Sequence, residues 1–297
     1  MAAQKQPQQA MFTPPPVGRL AVGGADCPLL VGTCGYSYAE WRDCGFYPAT
    51  SRSADMLGLY MRFFPIVELN YTWYQMPRAE AVQRMVAGVP ADFRFAAKLT
   101  RTLTHERSTE WRSELRRYRQ GIAPLGERLA AVLIQLPPDF DRSAAHRYYL
   151  AGILDGLQGL PVAVEFRHAS WAVDQVYGEL ERRGVTLVAV DAPAIPSLFP
   201  SLDVVTNSDF FYVRFHGRNQ RGWRSSNMQK KFDYDYQAAE LQEWVAGSLA
   251  RMASRCSRGY VFFNNHVRGQ APRNASLLQK LLHTRMAEDW RCSGSAQ

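Results

Sequence analysis

Residues 161–171 read PVAVEFRHASW. Val162, Val164 and Phe166 alternate with Ala163, Glu165 and Arg167, the period-two pattern of a strand. A carboxylate and a guanidinium two residues apart then project from one strand face. Ionised groups on a buried strand are costly unless they are paired, or solvated at the strand's end. Glu165 and Arg167 are therefore either a structural ion pair or part of a reactive site. The same layout recurs along the chain. Glu68 and Asn70 stand in IVELN, Lys98 ends FRFAAK, Gln135 lies in AAVLIQL, Asp191 ends TLVAVD, Arg214 and His216 stand in FYVRFH, and Asn264 and Asn265 follow GYVFF.

Several chemistries suit this set. Glu165 or Asp191 fits a general base tuned by Arg167 and Lys98. Lys98, if desolvated, fits an imine-forming amine. Arg167 and Arg214 fit a bidentate clamp for phosphate or carboxylate. Glu68, Glu165, Asp191 and His216 include the oxygen and imidazole donors of a divalent metal ion. No His-Glu-x-x-His spacing supports a particular metal, so its identity is left unknown. His105 and His168 fall in loops, where hydrogen bonding within the loop and catalysis are both open to them. The candidates for catalysis are thus Glu165, Glu68, Lys98, Asp191 and His216. Those for substrate binding are Asn70, His105, Gln135, Arg167, Arg214, Arg218, Trp223, Asn264 and Asn265.

Residues so far apart in sequence need a fold that gathers strand ends. Strands are expected at 29–33, 66–70, 93–98, 131–136, 161–167, 186–191, 211–215 and 259–263. Helical spacing of apolar residues marks 55–64, 78–87, 112–129, 144–157, 173–183, 238–252 and 274–283. Eight strands mostly separated by helices imply a parallel sheet with right-handed crossovers. That number fits one closed (β/α)8 TIM-type barrel, an α/β fold whose sites lie where the strand carboxyl ends meet. An open doubly wound sheet is the alternative, but no glycine-rich phosphate turn follows the first strand.

The flanks differ in composition. Residues 1–27, rich in Gln and Pro, read as a disordered leader, residues 28–284 as the barrel and residues 285–297 as a polar tail. The leader lacks a signal peptide's apolar core, and no apolar run is long enough to span a bilayer. The expected compartment is the cytoplasm. Five cysteines without a Cys-x-x-Cys pair suggest neither a disulfide framework nor a zinc ribbon. The formal charge of +8 is compatible with an anionic partner such as DNA or RNA. The connection after residue 215 carries Arg218, Arg221, Arg224, Lys230 and Lys231 around Trp223, with Tyr234 and Tyr236 beyond. It is expected to cover the site and to stack on bases.

The runs VGTCGYSYAEWR, VELNYTWYQMP, FRFAAKLTRTLTH, LIQLPPDF, VEFRHASW, YVRFHGR and YVFFNNHVRGQAPRNA resemble the YecE-like family, domain of unknown function 72. The resemblance covers residues 29–283 and implies a TIM-type barrel similar to those of endonuclease IV and xylose isomerase. Family motifs contain Glu68, Asn70, Lys98, Thr104, His105, Gln135, Glu165, Arg167, Trp171, Arg214, His216, Gly217, Arg218, Asn264 and Asn265. The likeness to endonuclease IV implies nucleic-acid binding or metal-assisted chemistry, yet that enzyme's trinuclear zinc pattern is not reproduced here. Three expectations follow. One is a rim enzyme acting on a phosphate-bearing substrate, nucleic acid favoured, as a phosphodiesterase-like hydrolase. Another is an isomerase or lyase of a small sugar or sugar phosphate, assisted by a metal ion or by Lys98. The third is a nucleic-acid-binding protein without catalysis.

Overall fold

The computed structural model describes residues 17–22, 25–223, 225 and 227–293. Its sheet has nine strands: β1 (Gly18–Val22), β2 (Ala25–Cys34), β3 (Ile66–Leu69), β4 (Arg94–Lys98), β5 (Leu129–Gln135), β6 (Val162–Glu165), β7 (Thr186–Asp191), β8 (Phe211–Phe215) and β9 (Gly259–Phe263). β2 to β9 follow one another in parallel, and β2 also pairs with β9, which closes the barrel. The expected TIM-type barrel is present. β1 lies outside this ring and pairs antiparallel with the first half of β2.

Both faces of each barrel strand are buried, so the strand sequences are almost wholly apolar. Parity decides which residues meet. Ile66, Ala96, Leu133, Ala163, Val190, Tyr212 and Phe262 share the barrel interior. Val67, Phe95, Val132, Val164, Leu187, Val213 and Val261 pack outward with the helices. Continuing the inward parity by one step brings Glu68, Lys98, Gln135, Glu165 and Arg214 to the carboxyl half of the lumen. One step from Phe262 gives Asn264, and a second step on the other strands adds Asn70, Arg167 and His216 at the rim.

β2 and β3 share a ladder of only two residue pairs. The Tyr60 hydroxyl fills the gap, accepting from Thr33 N at 2.8 Å and donating to Ile66 O at 3.0 Å. Gly32 makes room for it, since a Cβ there would stand 2.1 Å from Ile66 O.

Several boundaries differ from expectation. Residues 18–22 and 25–27 belong to β1 and β2 rather than to a leader, and residues 1–16 lie outside the described residues. Leu20 and Cys27 are buried, and β1 packs on the last helix, so burial outweighs the polar composition there. That helix spans Gln270–Ser293 and runs on into the expected tail. The expected helix 112–129 ends at Ile122, and Gly126 (φ 49°) breaks the tight turns that follow. The polar stretch after β4 holds a π-helix, Thr102–Glu106, closed by Arg107 at φ 55°. Such wide turns are frequent at functional sites.

Candidate functional site

A lattice of ions fills the carboxyl half of the lumen. Arg214, 1% exposed, donates from Nε and Nη2 to Glu68 Oε2 and Oε1 at 2.9 and 2.7 Å. Its Nη1 donates to Glu165 Oε2 at 2.5 Å, and Nη2 also reaches Cys34 Sγ at 3.4 Å. The Tyr212 hydroxyl donates to Glu68 Oε2 at 2.7 Å. Each charge is offset by a neighbour, which a buried ion requires.

The Glu165 Oε1 atom turns the other way. It lies 2.5 Å from Arg167 Nε and 3.3 Å from His216 Nε2, a charge contact whose angles give neither Oε1 nor Nε a hydrogen bond. Burial alone would raise the Glu165 pKa, but the Arg167 and Arg214 guanidiniums outweigh it and hold the carboxyl well below its usual range. His216 is held down to about 3 by burial and by Arg167. Its neutral ring faces Arg167 Nη2 at 3.0 Å from Nε2, and the Asn264 amide at 3.0 Å from Nδ1. Arg167 can only donate, so Nε2 accepts and the ring proton sits on Nδ1, which calls for the Asn264 amide to present its oxygen and not its nitrogen there. Glu165 is thus a fixed anion, enclosed on both sides, and not a free general base.

Above this lattice opens a cleft of about 380 Å³. Its walls include Asn70, Lys98, Gln135, Arg167 and Asn264 from the strand ends, and Tyr38, Trp73, Tyr74, His105, Trp223, Lys231, Phe232 and His266 from the loops. Every charged side chain lining it is a cation, and no Asp or Glu is among them. Lys98 Nζ lies 5.0 Å from the Trp73 ring centre. Arg167 and Lys231 approach the Trp223 ring at 5.5 and 5.3 Å. Burial and Arg214 lower the Lys98 pKa to about 8, against the pull of Glu68 and Glu165. Burial and Lys98 lower His105 to about 4. Asn70 Oδ1 and Trp73 Nε1 are shielded from solvent and have no partner among the described residues.

Glu68, Glu165, Arg214 and His216 lie in the lattice beneath the cleft, and three further sequence candidates are brought to neither. Asp191 has the outward parity of Leu187 and Ala189, so it faces the helices. There it accepts from Arg218 Nη2, the Tyr236 hydroxyl and Trp244 Nε1, each at 2.7 Å. Arg218 is spent on this clasp and on Glu240 at 3.1 Å. Asn265 donates to Tyr234 O and Asn274 Oδ1, both at 2.7 Å, and ties the loop to the last helix. Tyr236 is buried against Asp191, and Tyr234 donates to Glu240, so neither is a free stacking platform. Arg224 lies outside the described residues. His168 accepts from Ser170 N at 3.2 Å and serves its own loop.

The cleft also has walls that the alternation of strand residues does not reach. Tyr38, Trp73, Tyr74, Phe232 and His266 come from loops, and Tyr38 stacks on His266 at 4.8 Å and 7°. Their signal in the sequence is only that aromatic residues cluster directly after strand carboxyl ends. Among the described residues no group of three or more His, Cys, Asp or Glu is placed to hold a metal ion. Glu68 and Glu165 already serve Arg214, so the carboxylates suited to a metal are engaged.

Comparison with known proteins agrees with the fold and the motifs. The family model described as "Protein of unknown function DUF72" matches residues 30–294. The UPF0759 protein YunF of Bacillus subtilis is 29% identical over 253 residues, covering 80% of this chain and 89% of YunF. The UPF0759 protein YecE of Escherichia coli is 27% identical over 61% of this chain and 65% of YecE. The crystal structure of a DUF72 family protein from Thermotoga maritima superposes with a TM-score of 0.77 at 34% identity, covering 86% of this chain and 99% of that one. With the barrel, the ordered motifs and these matches in agreement, the chain belongs to the DUF72, YecE-like family.

Proposed function

We propose that the rim cleft binds a small phosphate-bearing ligand that also carries a ring or hydroxyl groups. The observation that carries this reading is the charge of the walls. Lys98, Arg167 and Lys231 line the cleft, and no carboxylate does. With the floor included, four cations (Lys98, Arg167, Lys231, Arg214) meet two carboxylates (Glu68, Glu165), an excess of two positive charges. His105 and His216 add none at neutral pH. A dianionic phosphate matches that excess, and Arg167 with Lys231 supplies its donors. Trp73 and Trp223 offer ring faces, while Asn70 Oδ1 and Trp73 Nε1 offer polar atoms to hydroxyls or ring edges.

A small ligand fits better than a long polyanion. Arg218 is turned into the Asp191 clasp, so the basic loop is less free to follow a phosphate backbone than its composition suggests. The cleft volume suits about one sugar phosphate or nucleotide unit. A single-stranded nucleic acid would then engage it through one nucleotide. Titrating the chain with inorganic phosphate, a mononucleotide, a sugar phosphate and a single-stranded oligonucleotide, followed by Trp fluorescence and calorimetry, tests the reading. Saturable binding of the small phosphates, with no tighter binding of the oligonucleotide, is expected. Affinity that rises with oligonucleotide length and falls steeply with salt would instead favour a nucleic-acid surface. The absence of binding by any phosphate compound would remove the reading.

A further inference from the structure

Lys98 differs from the two arginines of the site by being unpaired among the described residues, and from the other unpaired amine, Lys231, by standing on a barrel strand and not on the connecting segment after β8. Arg167 is engaged by Glu165 and His216, and Arg214 by Glu68 and Glu165. Lys98 Nζ makes no hydrogen bond or ion pair with any described residue and lies 5.0 Å from the Trp73 ring centre. It stands on the inward face at the carboxyl end of β4, the strand position from which this fold presents reacting groups. Its backbone is pinned, since Lys98 O accepts from Thr72 Oγ1 at 2.6 Å.

His105 lines the same cleft. Thr104 Oγ1 donates to Thr100 O at 3.1 Å and lies 2.9 Å from His105 Nδ1. With the hydroxyl proton on Thr100 O, the imidazole donates from Nδ1. Its Nε2 is left as an unprotonated acceptor.

We propose that Lys98 is the amine nucleophile of this cleft and forms an imine with a phosphorylated aldehyde or ketone. The inference rests on the phosphate reading above and adds the carbonyl group. The neutral Nζ attacks the carbonyl carbon, a C–N bond forms, and the C=O π pair moves to oxygen. Two protons leave nitrogen and two reach that oxygen, which departs as water as the C=N bond closes. His105 Nε2 is the proton carrier between them. The step is redox-neutral and needs no co-reactant, and hydrolysis reverses it. Burial and the Arg214 charge favour the neutral amine. With a pKa near 8 about half of the amine is neutral at pH 8, roughly a hundredfold more than for a lysine at 10.5.

Pyridoxal 5′-phosphate, which combines an aldehyde, a phosphate and a ring, is the probe. The full chain is incubated with it between pH 6 and 10, reduced with borohydride, and mapped by mass spectrometry. Modification of Lys98 ahead of Lys231, Lys230 and Lys280 is expected, levelling off above about pH 8 and suppressed by inorganic phosphate, and preferential modification of Lys231 would overturn the proposal. Lys98→Met should lose that modification while melting cooperatively. Lys98→Arg keeps the charge but should form no adduct. Phosphate binding to the parent chain with adducts only on exposed lysines would overturn the proposal and leave the phosphate reading intact. A Lys98 adduct that keeps rising through pH 10 would overturn it too. If phosphate does not bind, glyceraldehyde replaces the probe. A selective Lys98 adduct then supports the amine without the phosphate site, and none refutes both.

Discussion

Lys98 should carry a cost in stability that its chemistry explains. Its folded pKa, about 8, lies below the ordinary 10.5. Between those values the unfolded chain binds more protons, so wild-type stability rises with pH across that window. Lys98→Met removes the cost at neutral pH. A gain of about 1–3 kcal/mol at pH 7 is expected after allowing for solvent at the cleft mouth, shrinking toward zero by pH 10.5. Melting curves of the two proteins across that range measure it. Arg214 predicts the opposite. Arg214→Met leaves Glu68 and Glu165 buried without their shared guanidinium and should cost about 3–5 kcal/mol or abolish folding, measured by denaturant unfolding.

The strand and loop elements divide into those that face the cleft and those that brace it. Asp191→Ala strands Arg218, Tyr236 and Trp244 and should cost about 3–5 kcal/mol. Phosphate affinity should stay near wild type, because Asp191 lies outside the cleft, and calorimetry beside a melting curve separates the two effects. Gly32→Ala drives a methyl group into the β2–β3 seam and should cost about 3 kcal/mol or more. Alternation in VAVEFR puts Glu165 and Arg167 on one strand face, IVELN does so for Glu68 and Asn70 and FYVRFH for Arg214 and His216, and closure of the barrel turns those faces inward. TLVAVD resisted the same reading. Both of its faces are apolar, so nothing in the sequence says whether the face of Leu187, Ala189 and Asp191 or the face of Val188 and Val190 turns inward. The loops were less legible. Trp73, Phe232 and His266 enter the cleft through tertiary packing that no short-range period encodes, and the π-helix bearing His105 has no apolar repeat. The strand β1 was hidden by the polar residues before it.

At the scale of the whole barrel, acid should act before base. His216 is held at about 3 and His105 at about 4, both below the ordinary 6.5, and Glu165 lies below its own usual range. Each makes the unfolded chain the better proton acceptor. Their contributions are complete above pH 6.5 and fade as pH falls, the histidines first and Glu165 below about 4.5. Melting temperature should therefore decline steadily from pH 6.5 to 4. A flat profile in that interval would show that the lumen takes up water and lets the imidazoles protonate without unfolding.

The lattice around Arg214 also restricts how this sequence can change. Arg214 joins β8 to β3 through Glu68 and to β6 through Glu165, three strands that are not neighbours in the ring. Removing the guanidinium first leaves two anions facing each other. Removing one carboxylate first leaves the guanidinium half-matched. An apolar trio of similar volume could be as stable as the ionic one, but every single-substitution path to it crosses a destabilised intermediate. The three positions therefore form an epistatic lock. A double-mutant series over Glu68, Glu165 and Arg214 should deviate from additivity by more than 1 kcal/mol, and only simultaneous replacement should let the barrel drift away from its charged lumen.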